Sequence, residues 1–509
     1  MSRRTAAPAV ARQGRGGRAV DGTLNGEMLE KGLFLRPLVS GLLREVLDAP
    51  DLVSGLVEAL GSPVNIVVPQ QMTENAAAFR AVYRAHHLSG GVYFAHKANR
   101  SSALLRQLAA GDTGVDVASL GELQHALSCG FAGDRIMATG PKDIDFLWLA
   151  ARVGAIVNAD SREELVALAE LVERHGLAPV RVMMRLAAFD SPGVKVLSRP
   201  SRFGVHQREL PGVLDLLDGH RDALTLLGVA YHLDTNGLDE KVLALEGCLL
   251  AMREALTRGF APTAIDIGGG FGVNYLADRG EWERYTTELT HSVLGRRPAM
   301  TWHNHGYGLR AEAGTLRGAL GVYPAHRPLA GPKYLGELLT RTAPSLGRPL
   351  ATLLLENLYD LHVEPGRALV DQCGLTLARV AEVRTTHDGD VLVRLAANSR
   401  DISTEDHAVL MDPVLLGTRP PDAEPSEVYF SGNLCLEDDL ITRRKVTLPR
   451  LPVPGDVLAF VNTAGYFMDF AADHALMQPI APKVAVYRDA GVWKWCLDEQ
   501  YWPVKGDRA

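Results

Sequence analysis

Residues 92–160 read VYFAHKANRSSALLRQLAAGDTGVDVASLGELQHALSCGFAGDRIMATGPKDIDFLWLAARVGAIVNAD. Four short apolar or β-branched runs stand out: VYFAHK (92–97), GVDVAS (114–119), RIMATG (135–140) and AIVNAD (155–160). Between them, apolar residues return every three or four positions, the mark of a helix with one buried face. The alternation continues beyond this stretch. VRVMMRL (180–186), LLGVAYHL (226–233), AIDIGGG (264–270) and LHVEPGR (361–367) complete a set of eight strand candidates. Eight strands joined by helical connections predict a parallel (β/α)8 barrel of the TIM type. A doubly wound open sheet is the alternative, disfavoured because no glycine-rich turn follows the first strand.

One connection is too long for a single crossover. About 90 residues separate the seventh strand from the eighth. An insertion around 276–350 is therefore expected near the barrel mouth, where long loops commonly act as lids or substrate loops. After residue 370 the pattern changes. LTLARVAEVRTT, DVLVRLAAN, SEVYFSGN, KVTLPRLPVPGDVLAF and VAVYRDAGVWKWCL alternate as short strands with turn residues between them, predicting a C-terminal all-β domain over 371–509. The barrel is assigned to 65–370. The segment 26–64 is expected to pack on the β domain, NIVVP (65–69) fits either domain, and 1–25 reads as a disordered arm.

Composition narrows the function. The chain has 509 residues with 53 Lys+Arg against 60 Asp+Glu, and 53 − 60 = −7. That balance speaks against nucleic acid or an anionic membrane as the main partner. No signal-peptide pattern opens the chain and no apolar run is long enough to span a bilayer. Cys129, Cys248, Cys373, Cys435 and Cys496 show neither metal-ligand spacing nor a disulfide framework, so a reducing cytoplasm is expected.

Four features close predicted strands. Lys97 ends the first; at a barrel mouth it would be partly desolvated, its pKa would fall, and its amine would form a Schiff base. His232 ends the sixth and offers either a structural ring or a flat partner for an aromatic ligand. Gly268, Gly269 and Gly270 follow the seventh as a tight turn or a backbone N–H cradle for phosphate. Glu364 and Arg367 close the eighth, as a surface ion pair or as an acid for a protonated heterocyclic nitrogen and a cation for phosphate. Each feature alone admits a plain structural explanation. All of them at one end of parallel strands describe a site for pyridoxal 5'-phosphate.

Ten motifs in order resemble the fold-type III pyridoxal-phosphate decarboxylases, the diaminopimelate, ornithine and arginine decarboxylase group. They are YFAHKAN, GVDVASLGEL, ATGPK, VNADSREEL, SRFGV, IDIGGGFG, VEPGR, SGNLCLEDD, PGDVLAF and AGYF, and they cover about residues 65–475. The resemblance implies roles for individual residues. Lys97 would bond the cofactor, Glu364 would face its pyridine nitrogen and His232 would stack on its ring. Thr235, Gly268, Gly269, Gly270, Arg367 and Tyr466 would surround its phosphate, and Asp116 and Glu122 would lie near the lysine and ring. It also implies a homodimer with shared sites, in which Cys435 of the partner subunit delivers the proton that replaces CO₂ and Asp439 crosses the interface.

The chain departs from the family where the substrate is gripped. The residue after the cysteine, usually acidic, is Leu436, and LAANSRDISTED (395–406) matches none of the usual versions of that segment. Arg400 in this segment and Asp439 are the expected substrate contacts. These departures point to an amino-acid substrate that is modified or conjugated, of secondary or siderophore metabolism. Two other readings stand beside decarboxylation. A racemase on the same barrel would place an arginine rather than Glu364 at the pyridine nitrogen. A homologue that has lost its cofactor and only binds a partner would not need Lys97, Glu364, Arg367, Cys435 and Tyr466 together.

Overall fold

The computed structural model describes residues 26–189, 201–233, 235, 237–417 and 419–503, so the arm 1–25 lies outside the described residues. Each of the eight segments picked out by pattern supplies one strand of a closed parallel barrel. In order these are Gly90–Ala95, Gly114–Val117, Ile136–Ala138, Ile156–Ala159, Val180–Ala188, Leu224–Tyr231, Ala264–Asp266 and Asp360–Val363. Neighbours in this order pair in parallel, and the eighth pairs with the first, which closes the ring. Because side chains alternate along a strand, Tyr93, Met137, Ile156, Met183, Ala230 and Ala264 fill the barrel interior. The residues on either side of them pack outward against the helices.

Short polar caps set how the helices after the first four strands leave the barrel mouth. Ser101, Ser119, Asp143 and Ser161 accept hydrogen bonds from the backbone N–H groups of Leu104, Glu122, Phe146 and Glu164. These helices therefore start within about six residues of the first four strand ends, and that side of the mouth is built from short turns. Among the described residues, no helix is long and apolar enough to cross a membrane.

The second domain is mostly β. Its sheet runs in the order Val446–Leu448, Ser426–Ser431, Val391–Leu395, Gly374–Thr385, Val64–Val67, Lys483–Asp489 and Val492–Leu497, with Val457–Val461 also pairing to Gly374–Thr385. This corrects the boundary drawn at residue 65. Val64–Val67 is a central strand of the β domain, antiparallel to Gly374–Thr385 and parallel to Lys483–Asp489. The reason is physical: the barrel ring is already closed by its eight strands, whereas VNIV is buried at every position between two β-domain neighbours. The barrel domain proper opens with the helix Pro69–Ala85.

The insertion is not a free lid. It carries the helix Arg279–Val293 and a hairpin of Leu309–Glu312 with Thr315–Gly318. Its backbone is fastened to the β domain through Trp302 N–H to Arg443 O (2.6 Å) and Tyr323 N–H to Ala408 O (2.7 Å). The segment before residue 64 is tied to the same region. Leu35 N–H donates to Asp412 Oδ2 (2.6 Å), and Arg36 pairs with Glu281 of the insertion.

All these pieces meet at Arg444, whose side chain is fully buried between Glu405 (3.2 Å) and Asp412 (2.7 Å). Tyr307 of the insertion donates to the other Glu405 oxygen at 2.9 Å. Removing the cation would strand two buried acids. Arg444→Met is expected to lower stability by about 3–5 kcal/mol, measured by denaturant unfolding. A loss below about 1 kcal/mol would show that the pair is not the joint described here.

Candidate active site

Lys97 leaves the first barrel strand on a single 3₁₀ turn, His96–Ala98, so it stands at the mouth as expected. The turn is clamped from the β domain. Asn99 Nδ2 donates to Ala464 O (2.8 Å) and Tyr466 N–H donates to Ala98 O (2.9 Å), so the AGYF segment sits directly on the HKAN turn. Tyr466 pays for that docking with a left-handed backbone, φ +76°.

The pKa expectation for Lys97 has the wrong sign. Burial pulls the ammonium down, but Asp116 and Glu364 outweigh it and hold the group above the ordinary lysine value. The error has a simple source: the opposing acids come from the second and eighth strands, far away in sequence. Asp116 is buried and accepts from Thr139 Oγ1 at 2.6 Å. Burial and then Glu364 push its carboxyl up.

Glu364 is joined by a residue that the sequence reading missed. Asp266, buried at the end of the seventh strand, hydrogen-bonds the Glu364 carboxyl and accepts from Gly268 N–H at 2.7 Å. Two carboxyls in contact cannot both be charged. Burial, reinforced by Glu364, pushes Asp266 well above the usual carboxylate range, and burial also raises Glu364 against the pull of Lys97 and Arg185, so the proton of the pair favours Asp266. The signal was present in IDIGGG, where an Asp two residues before a glycine bonds that glycine's N–H. Arg185, on the fifth strand, also acts on Lys97 and Glu364 electrostatically and was not singled out.

His232 follows the sixth strand. Its Nδ1 accepts from Gly269 N–H at 3.2 Å and lies 3.6 Å from Glu364 Oε2. Because Nδ1 accepts, the ring proton belongs on Nε2. The glycines are required by packing. A Cβ at Gly268, Gly269 or Gly270 would lie 2.6 Å from Tyr231 O, 2.8 Å from Glu364 O or 2.9 Å from Lys241 Nζ, and Gly268 and Gly270 have φ of +62° and +79°.

Arg367 is enclosed by the rings of Tyr323, Tyr466 and Phe467, with its guanidinium carbon 5.1, 5.5 and 6.0 Å from their centroids. Its Nη1 is buried without a hydrogen-bond partner among the described residues. A phosphate would satisfy that donor, and the Glu364 carboxyl, raised by burial against the pull of Lys97 and Arg185, would suit a protonated ring nitrogen. The residues present therefore fit pyridoxal phosphate.

Other expected residues sit differently. Glu122 is engaged by Ala118 N–H (2.7 Å) and His96 Nδ1 (3.1 Å), within electrostatic reach of Lys97. Thr235 is buried and its hydroxyl accepts from Gly237 N–H. Cys435 and Leu436 are exposed. Asp439 is buried, and its two oxygens accept from Ser399 N–H and Leu434 N–H, both at 2.8 Å, within its own chain. It fixes the cysteine loop. Arg400 is ion-paired with Asp473 at the surface.

Comparison with known proteins agrees with this geometry. Residues 70–316 match the family described as pyridoxal-dependent decarboxylase, pyridoxal binding domain. An uncharacterized protein of Sinorhizobium fredii is 30% identical over 439 residues, covering 84% of this chain and 89% of the relative. The L-glutamyl-[BtrI acyl-carrier protein] decarboxylase of Niallia circulans is 24% identical over 400 residues, covering 76% and 80%. The crystal structure of diaminopimelate decarboxylase from Helicobacter pylori, complexed with L-lysine, shares the fold with a TM-score of 0.63 at 17% identity, over 88% of this chain and 95% of that one. The chain belongs to the fold-type III pyridoxal-phosphate-dependent decarboxylases. It is an amino-acid carboxy-lyase, with pyridoxal phosphate as cofactor.

The Asp266 proton has a measurable consequence. A carboxyl whose folded pKa is raised above the ordinary 3.8 stabilises fully below about pH 4 and loses that contribution as pH rises toward the folded value. Asp266→Asn keeps an acceptor for Gly268 and a donor for Glu364 but has no proton to lose. The thermal midpoint of the cofactor-free variant, relative to wild type, is expected to climb steadily between pH 5 and pH 8. A difference independent of pH would refute the shared proton.

Proposed function

We propose that this chain works as a homodimer on an amino acid with no free terminal ammonium, an acidic or conjugated one, and that Cys435 of the partner subunit completes each site. The observation that carries the substrate reading is Leu436, exposed beside Cys435 where an acid would be needed to pair a distal amine. A buried ammonium without a partner costs several kcal/mol. The Niallia circulans relative supports the same direction, since its substrate is a glutamyl group on a carrier protein. The free cysteines suit a reducing, cytoplasmic setting.

In this reading Lys97 would hold the cofactor covalently and release it to the substrate amine. Gly270, whose N–H is not taken by Asp266 or His232, would hold the phosphate with Arg367 and Tyr466, and His232 would cover one ring face. Bound with a protonated ring nitrogen, the cofactor takes up the electron pair that CO₂ leaves behind. Glu364, with the proton of the pair favouring Asp266, would hold that nitrogen protonated. The same carboxylate favours decarboxylation over racemisation. Cys435 is exposed, as a group serving another subunit must be, and would donate a proton to the substrate carbon.

Three measurements test this. Lys97→Ala should abolish cofactor that borohydride traps covalently; retention would move the attachment elsewhere. Mixing inactive Lys97→Ala with inactive Cys435→Ala should restore up to about a quarter of wild-type activity, because half the dimers are hybrids with one intact site of two. No recovery despite proven subunit exchange would refute shared sites. Ornithine and lysine should be poor substrates beside glutamate derivatives in a CO₂-release assay. Leu436→Asp should raise diamino-acid turnover by about tenfold, equivalent to about 1.4 kcal/mol at the transition state. Efficient decarboxylation of ornithine by the unmodified protein would sink the substrate assignment.

A further inference from the structure

We propose that Lys241 is a buried cation of the phosphate cradle and gives the site its preference for a phosphorylated cofactor. The inference rests on pyridoxal phosphate occupying the mouth as described above. Lys241 lies near the start of the helix Leu238–Thr257, is fully buried, and donates from Nζ to Gly269 O at 2.6 Å. A Cβ on Gly270 would come within 2.9 Å of the same nitrogen. The ammonium thus sits immediately beneath the glycine loop, in which Gly268 N–H and Gly269 N–H are taken by Asp266 and His232 and Gly270 N–H is the donor left for a phosphate. The rings of Phe271 and Tyr334 flank it, at 5.1 and 5.5 Å from Nζ to their centroids.

Among the described residues no acid forms an ion pair with Lys241. A buried lysine without an anion is costly, and burial, helped by Arg327, pulls its pKa down to about 7. Arg327 belongs to the insertion and packs on the same loop, 2.8 Å from where a Gly272 Cβ would lie. Two cations converge on residues 268–272. Like charges are brought together when an anion is to be held between or beside them. Fastening the loop would not require charge, since a neutral donor would serve Gly269 O equally well. A phosphate dianion on the other side of the loop offsets both cations.

The test compares pyridoxal phosphate with pyridoxal, which bonds a lysine equally but lacks the phosphate. Affinities of the cofactor-free protein are measured by absorbance titration and borohydride trapping, for wild type, Lys241→Met and Lys241→Gln. The glutamine keeps a hydrogen-bond donor for Gly269 O and removes only the charge. Thermal melting confirms that each variant is folded. Both variants are expected to lose at least about tenfold in affinity for pyridoxal phosphate while their affinity for pyridoxal stays within about twofold. Equal losses for the two ligands would reduce Lys241 to a structural prop and overturn the proposal, as would unchanged affinity for pyridoxal phosphate in Lys241→Gln. Failure of wild type to bond either ligand would instead overturn the reading of the whole mouth, including Lys97.

Discussion

Three buried acids gather around Lys97 at the mouth of the barrel, and much of the site follows from that crowding. Asp116, Asp266 and Glu364 arrive from three different strands and are all buried. Lys97 responds by holding its proton tightly, and Asp266 responds by keeping one. The result is a graded set: burial raises all three acids, Asp266 well above the carboxylate range and Asp116 to about 8, while Lys97 and Arg185 oppose the rise at Glu364. A protonated ring nitrogen placed against Glu364 would set a further positive charge beside these acids, so part of the electrostatic cost of burying them is recovered when the site is used.

The second domain is part of this arrangement rather than an appendage. Asn99 and Ala98 of the lysine turn bond the backbone of Ala464 and Tyr466, and Arg367 is enclosed by rings from both the β domain and the insertion. Tyr323 exchanges hydrogen bonds with the Val273 backbone while its ring faces Arg367. The long connection therefore braces the phosphate side of the mouth and the β-domain loops at the same time.

Much of the fold was legible in the sequence. Both-face burial produces continuous apolar runs, and all eight barrel strands carried that mark, with Lys97, His232, the three glycines and Glu364 falling just past their ends. What was not legible depended on contacts between segments distant in the chain. VNIV at 64–67 has the same composition whether it lies in a barrel or between two β-domain strands. The direction of the Lys97 shift is set by acids on other strands, so a local argument from burial alone points the wrong way. Asp439 follows a cysteine in a motif that suggests contact with substrate, yet the close approach of Gly432 and the N–H groups of Leu434 and Ser399 turn its carboxylate inward. Lys241 sits on a helix of mixed polarity and gives no sign in sequence that a loop covers it.

The placement of Val64–Val67 also constrains the order in which the molecule is built. This strand is made before any of the barrel, yet its partners are Gly374–Thr385, about 300 residues later, and Lys483–Asp489, near the end of the chain. While the chain emerges from the ribosome, a strand buried on both faces in the finished protein must wait, with unpaired backbone edges, until the barrel has been completed. The parallel partner arrives last, so the clamp on the lysine turn is among the final elements to be enclosed. A nascent chain that stops short of residue 483 would own a barrel but not a finished sheet, and its earliest strand would remain the surface most open to pairing with another chain.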